Sequence, residues 1–265
     1  MMKFVLSILL LAATALAQTE MAPPSQSIPV DQENVRKAKA VLDQTIKALG
    51  GQAYMNIQDI AQEGRTYSFY HGRPNSLGVL FWRFYKFPDK DRIELTKQRD
   101  VIYLNQGDKG YEVTFKGPHP QVPKDLADYL RRRHFSLDWV LRKWLVEPGV
   151  AFFYEGQTVA EEKPVEQVTV MNARNEGVTL YVSTDDHLPV KKSYSWRDPT
   201  DKERNREDEV YDNYREVQGI MTPHTITRFF NGDMSNQRFM TVVTYNQGLS
   251  DSQFDPATAS PAKKK

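Results

Sequence analysis

Apolar residues recur along this chain with two different periods. Between positions 31 and 49, Val35, Ala38, Leu42, Ile46 and Leu49 fall three or four residues apart, which places them on one stripe of an α-helix. Asp31 stands where a helix cap belongs, and Gly50-Gly51 supplies a left-handed stop. A short turn over 52–57 follows. Beyond it the period changes to two. Val178, Leu180 and Val182 alternate with Thr179, Tyr181 and Ser183, and Val190, Tyr194 and Trp196 share a face opposite Lys191, Ser193 and Ser195. The pattern predicts strands over 58–71, 78–87, 91–98, 100–106 and 110–116. A second series covers 150–160, 165–172, 177–184, 189–197, 208–217, 222–231 and 237–246. Gly107-Asp108, Asn175-Glu176-Gly177, Asp185-Asp186 and Asn231-Gly232 carry turn chemistry, so consecutive strands form an antiparallel meander.

The gap between the two series is itself patterned. Pro123 can open a helix with Asp125 in its first turn, running to about Arg133. Ser136 can cap a second, in which Leu137, Val140, Leu141, Trp144 and Leu145 make one apolar face before Pro148-Gly149 ends it. Pro118-His119-Pro120 reads as a rigid loop.

The first residues read as a signal. Lys3 precedes an apolar run over 4–13, and Ala15-Leu16-Ala17 has the small-x-small form of a cleavage site, so 1–17 is expected to be a secretory signal peptide. The run is too short for a membrane-spanning helix, which needs roughly 20 residues. Residues 18–30 are expected to be a flexible leader, 31–249 one folded domain, and 250–265 a disordered tail ending in three lysines. The expected product is exported, soluble and periplasmic.

Composition narrows the chemistry. With no cysteine among 265 residues there are no disulfides, no thiol nucleophile, no cysteine-ligated metal and no lipidation site after the signal. The 35 Lys and Arg balance 34 Asp and Glu, which argues against a nucleic-acid partner. Phosphate-loop, zinc-protease and nucleophile-elbow motifs are all missing from the sequence. Asp185-Asp186-His187 could ligate a metal, but ahead of Leu-Pro it fits a strand-to-strand turn better. No catalytic residue, metal or cofactor is therefore expected. The mixed-charge run over 197–209 is expected to form a long solvated hairpin tip, the other reading being a partner-binding patch.

Aromatic residues on strands are the unusual feature. Leu80, Trp82 and Phe84 lie on one face of the second strand, and Val79, Phe81, Tyr85 and Phe87 on the other. Two readings fit: a plain two-sided core, or a curved sheet with an apolar concave face that holds a ligand.

The order of elements, together with four short motifs, resembles the LolA-like periplasmic lipoprotein carriers. The stretch Leu-Phe-Trp-Arg-Phe-Tyr-Lys-Phe-Pro over 80–88 is similar to that group's second strand, which ends Lys-Arg-Pro. Asn-Gln-Gly-Asp-Lys-Gly-Tyr over 105–111 is similar to its Asp-Gly-Lys hairpin, and Asp-Asp-His-Leu-Pro-Val over 185–190 to its acidic turn and Leu-Pro strand start. The stretch Tyr214 to Pro223 resembles its later strands.

The resemblance implies an α+β half-barrel: a curved antiparallel sheet of about 11 strands, with an N-terminal helix and mid-chain helices covering the concave face. It implies a monomeric carrier of lipoprotein acyl chains or another lipid. Such a carrier would take its load from an inner-membrane donor and pass it to an outer-membrane acceptor. On the aromatic strands and amphipathic helices, the expected cavity lining is Leu80, Trp82, Phe84, Trp139, Leu141, Trp144, Tyr194 and Trp196. One departure matters. The family arginine that latches the lid is replaced by Phe87, which cannot donate a hydrogen bond. Arg83 or Lys86 would then take the role, or apolar contact alone would hold the lid. An envelope sensor on the same scaffold, contacting its partner through 197–209, is the alternative; a hydrolase with an unrecognised carboxylate or histidine site is a third.

Overall fold

The computed structural model describes residues 30–259. The expected signal peptide, the leader up to 29 and residues 260–265 lie outside the described residues. Helix α1 (Val30–Leu49) buries Ala38, Val41, Leu42, Thr45 and Leu49, so the predicted stripe is turned toward Val41 and Thr45 while Val35 and Ile46 are half-buried. It ends at Gly50-Gly51, both at positive φ. A Cβ at Gly50 would stand 2.5 Å from the Gly219 carbonyl oxygen, so the helix end and a distant hairpin meet only because this residue is glycine. A single turn, α2 (Gln52–Met55), leads into the sheet.

The strands are β1 (Asp59–Tyr70), the two-residue β2 (Arg73–Pro74), β3 (Val79–Lys86), β4 (Lys90–Leu95), β5 (Val101–Gln106), β6 (Lys109–Thr114) and β7 (Gly117–Pro120). Helices α3 (Pro123–His134) and α4 (Leu137–Arg142) follow, then a 3-10 turn (Trp144–Val146). The second series is β8 (Ala151–Ala160), β9 (Lys163–Met171), β10 (Gly177–Ser183), β11 (Pro189–Arg197), β12 (Arg204–Val217), β13 (Ile220–Phe230) and β14 (Asp233–Tyr245). All pairings are antiparallel, in the order β7-β6-β5-β4-β3-β1-β14-β13-β12-β11-β10-β9-β8, with β2 folded back on β1.

Two meanders are thus joined by one long-range seam, β1 against β14, and the sheet is not closed: β7 and β8 are its free edges. The chain passes from one edge to the other through α3 and α4, so the helical interruption bridges the sheet. Asn34 of α1 bonds both the amide and the carbonyl of Tyr154 on β8, which blunts that edge. At the seam, Gly64 faces a bulge in β14 at Thr241, and a Cβ on it would come within 2.0 Å of the Phe239 carbonyl oxygen.

The α+β class and the open antiparallel sheet are as expected, but among the described residues the path holds 13 strands rather than about 11. The Pro118-His119-Pro120 loop is an added edge strand, β7, where a residue without an amide donor can be accommodated. The charged hairpin is much shorter than expected. Only residues 198–203 form its tip, and Glu207, Asp208 and Glu209 are buried within β12. Their reach across the sheet supplies the partners that a solvated tip would lack. Residues 250–259 are likewise seated: a 3-10 turn (Asp251–Phe254) buries Phe254, and Lys86 and Lys90 both pair with Asp251. The buried carboxylate of Asp59 accepts three backbone N–H bonds, from Gln247, Gly248 and Leu249, and holds the start of that segment. Among the described residues no helix is long and apolar enough to cross a membrane.

Candidate ligand cavity

The concave side of the sheet is used in two ways. On the β9–β11 wing it is filled. Val168, Val170, Val178, Leu180 and Val182 pack under Val140, Leu141, Trp144 and the C-cap residue of α3, Phe135. The Phe135 ring stacks on Tyr194 at 4.3 Å with an interplanar angle of 12°. On the other wing a cavity of about 430 Å³ remains open, within the usual range for ligand pockets. Its floor is one face of β1, β3, β4 and β12–β14. Its roof is Tyr129, Arg132 and Arg133 of α3 with Leu137 and Asp138 of α4. Helix α3 has no fully buried residue of its own, so it lies over the cavity as a lid, whereas α4 is rooted in the core by Val140 and Leu141.

The expected lining residues stand elsewhere. Leu80, Trp82 and Phe84 lie on the opposite face of β3 from the cavity residues Phe81, Arg83 and Tyr85. There the Arg99 guanidinium covers Trp82 at 4.9 Å and Phe84 at 5.8 Å. Both faces of β3 are aromatic, and only the curl of the sheet decides which one turns inward. Leu141, Trp144 and Tyr194 belong to the filled core, and Trp196 packs at its margin under Arg131 at 4.0 Å. Trp139 rests against Phe87, their centroids 6.0 Å apart.

The cavity is apolar in part, through Leu49, Ile57, Ile60, Phe81, Leu95 and Ile226. It also holds charges that the sequence reading did not place there. Arg83 binds Asp91 through two bonds of 3.0 and 2.9 Å. Glu209 meets Lys192 at 2.9 Å and Arg228 at 3.1 Å. Glu207, behind it, pairs with Arg228 and with Arg132 of the lid. Burial pushes the Glu209 carboxyl up, but Lys192, Arg228 and Arg238 together outweigh it and hold it well below the usual carboxylate range. A signal for these residues was available. Period two carries inward from Tyr194 to Lys192, from Phe81 and Tyr85 to Arg83, and from Tyr211 to Glu209 and Glu207. Polar character in the sequence hides such positions.

The lid is fastened on both sides. Arg132 reaches Glu207 at 3.0 Å, and Arg133 donates to the Gly107 carbonyl at 2.7 Å. Lys192 donates to the Phe135 carbonyl at 2.8 Å, and Tyr54 to Asp138 at 2.8 Å. Neither Arg83 nor Lys86 acts as the latch: the first is committed to Asp91, the second to Asp251 and the Leu249 carbonyl. Arg142 of α4 instead stacks on Phe87 at 3.8 Å. The Asp185-Asp186-His187 segment is a turn, with the His187 amide bonded to the Ser183 carbonyl and the Leu188 amide to the Asp186 side chain. Among the described residues no group of three His, Cys, Asp or Glu side chains is placed to hold a metal.

An open antiparallel sheet bridged edge to edge by helices that roof its concave face is the LolA-like fold. Solved structures share it, among them three with similar coverage of this chain. A DUF1329 family protein from Desulfovibrio piger superposes with a TM-score of 0.59 at 14% identity, over 82% of this chain and 97% of that one. A putative outer membrane lipoprotein-sorting protein domain from Vibrio parahaemolyticus gives 0.53 at 10% identity, over 83% and 98%. A LolA superfamily protein from Nitrosomonas europaea gives 0.52 at 12% identity, over 82% and 97%. No family model and no curated protein matches the sequence. At these identities the likeness is one of fold.

Proposed function

We propose that this chain is a periplasmic carrier that shields the acyl chains of a lipid or lipoprotein in the cavity beneath α3, for transfer toward the outer membrane. The observation that carries the reading is the asymmetry of the concave face. One wing is packed solid, while the other keeps an open, partly apolar volume under a helix with no buried residue of its own. Each CH₂ removed from water contributes about 0.8 kcal/mol, so an acyl chain crossing an aqueous compartment needs such a shelter. A lid held by separate polar ties, rather than by an apolar core, can be released without unfolding its base. The lipoprotein-sorting and LolA superfamily proteins that share the fold support the reading by analogy.

The charges in the cavity do not favour catalysis. Asp91 is held by a bidentate arginine, and Glu209 is stabilised as a carboxylate, so it offers no proton at neutral pH. The test is native mass spectrometry of protein exported from cells, with binding of a fluorescent fatty-acid probe measured alongside. Co-purified lipid or acylated peptide, displaced by the probe, is the expected result. A consistently empty protein that ignores the probe would sink the proposal.

A further inference from the structure

Five arginines line the cavity, Arg83, Arg132, Arg133, Arg228 and Arg238, against three carboxylates, Asp91, Asp138 and Glu209. Four of the five have a named acceptor. Arg83 holds Asp91, Arg132 holds Glu207, Arg133 holds the Gly107 carbonyl, and Arg228 holds Glu209. Arg238 is the exception. It stands on β14 between Thr66 of β1 and Ile226 of β13, in the middle of the cavity floor. Among the described residues its guanidinium makes no hydrogen bond and no ion pair, and its Nε is buried without a partner. The Tyr129 hydroxyl, on the roof of the same cavity, is also buried without a partner.

A guanidinium left unpaired at a desolvated site costs free energy that two acceptor atoms would recover. Burial, with Arg228 and Arg83 close by, pulls the Arg238 pKa down to about 10, which still leaves it charged at neutral pH. The sheet therefore carries a fixed cation that Glu209 and Asp91 attract from a distance but no carboxylate among the described residues contacts, in a cavity with partly apolar walls. That combination fits an amphiphile.

We propose that Arg238 is the anchor for the anionic headgroup of the cavity's ligand, and that the ligand is a lipid bearing a carboxylate or phosphate rather than an uncharged acyl ester or amide. Resting on the carrier reading above, this names the class of cargo. The planar fork of arginine suits the two oxygens of either anion. The choice between carboxylate and phosphate is left to the ligand series.

The experiment titrates full-length-derived protein with palmitate, hexadecyl phosphate and hexadecanol, each below its aggregation concentration, in parallel with Arg238→Gln and Arg238→Met. The expected result is that at least one anion binds about tenfold or more tighter than the alcohol, and that both variants erase the difference. The tighter of the two anions identifies the headgroup. Both variants should melt close to the parent, because the lost attraction to Glu209 and the removed desolvated charge offset each other. Equal binding of all three ligands, or a preference that survives in either variant that folds, overturns the anchor while leaving the carrier intact. Binding of none of the three overturns both. If neither variant folds, the wild-type series decides: loss of the anion preference at high salt supports the anchor, and a preference indifferent to salt overturns it.

Discussion

Arg142 and Phe87 reverse the expected polarity of the latch and place it on α4, the rooted helix that follows the lid. The guanidinium belongs to the helix and the apolar partner to the end of the strand, with 3.8 Å between Cζ and the ring centroid. The same guanidinium donates past the ring to the Met55 and Ile57 carbonyls. Phe87 is therefore more than a lost donor: it is the platform for a donor that moved to the other side of the contact.

Replacing Arg142 by Ala should cost about 2 kcal/mol, since the stacking and the charged hydrogen bonds go together. Phe87→Arg, which restores the family-like residue, should be more destabilising than Phe87→Leu because it sets two guanidinium groups face to face. Denaturant titration ranks the variants. Hydrogen exchange across 123–146 should quicken in Arg142→Ala if the contact holds the lid, and should stay unchanged if it does not.

Glu209 makes a pH prediction. Its folded carboxyl lies well below the unfolded value near 4.5, because Lys192, Arg228 and Arg238 favour the charged form more than burial disfavours it. The stability it contributes is therefore complete above about pH 4.5 and is lost as pH falls toward the folded pKa. Glu209→Gln should be roughly 3 kcal/mol less stable at neutral pH, because it leaves Lys192 buried without its carboxylate. It should also lose stability less steeply on acidification. A pH series of denaturant midpoints measures both; parallel curves for parent and variant would count against the assignment.

Gly64→Ala tests the seam. Its Cβ would sit 2.0 Å from the Phe239 carbonyl oxygen and 3.0 Å from the Phe81 ring. Separation of β1 from β14 should cost roughly 3 kcal/mol. A melting temperature equal to the parent's would show that the bulge can absorb the methyl.

Phe254→Ala tests whether the segment after β14 belongs to the fold. Phe254 is 1% exposed, and truncating it should cost about 3 kcal/mol. Limited proteolysis should then cut after Leu249 far sooner than in the parent.

Much of this was readable in order along the chain. The Ser136 cap, which accepts from the Trp139 amide at 3.3 Å, and the alternation of β10 follow from local periodicity and appear where it puts them, and Ala38, Leu42 and Leu49 of the α1 stripe are buried as it predicts. The site was less readable, for a specific reason. β3 has two aromatic faces, and nothing in Leu80, Trp82 and Phe84 distinguishes them from Phe81 and Tyr85 until the sheet curls. In β12, acidity alone points to solvent because acids are seldom buried, yet Glu207 is 1% exposed where Arg132 and Arg228 converge on it.

Alone, then, the sequence determined the element types, the antiparallel meander and the helical break within it, because these depend on neighbours a few residues apart. Tertiary structure decided which strand faces look inward, that one wing is filled and the other hollow, and that Arg238 has no partner among the described residues. Those outcomes depend on pairing β1 with β14 across most of the chain, and on which charges that pairing brings within reach of each other.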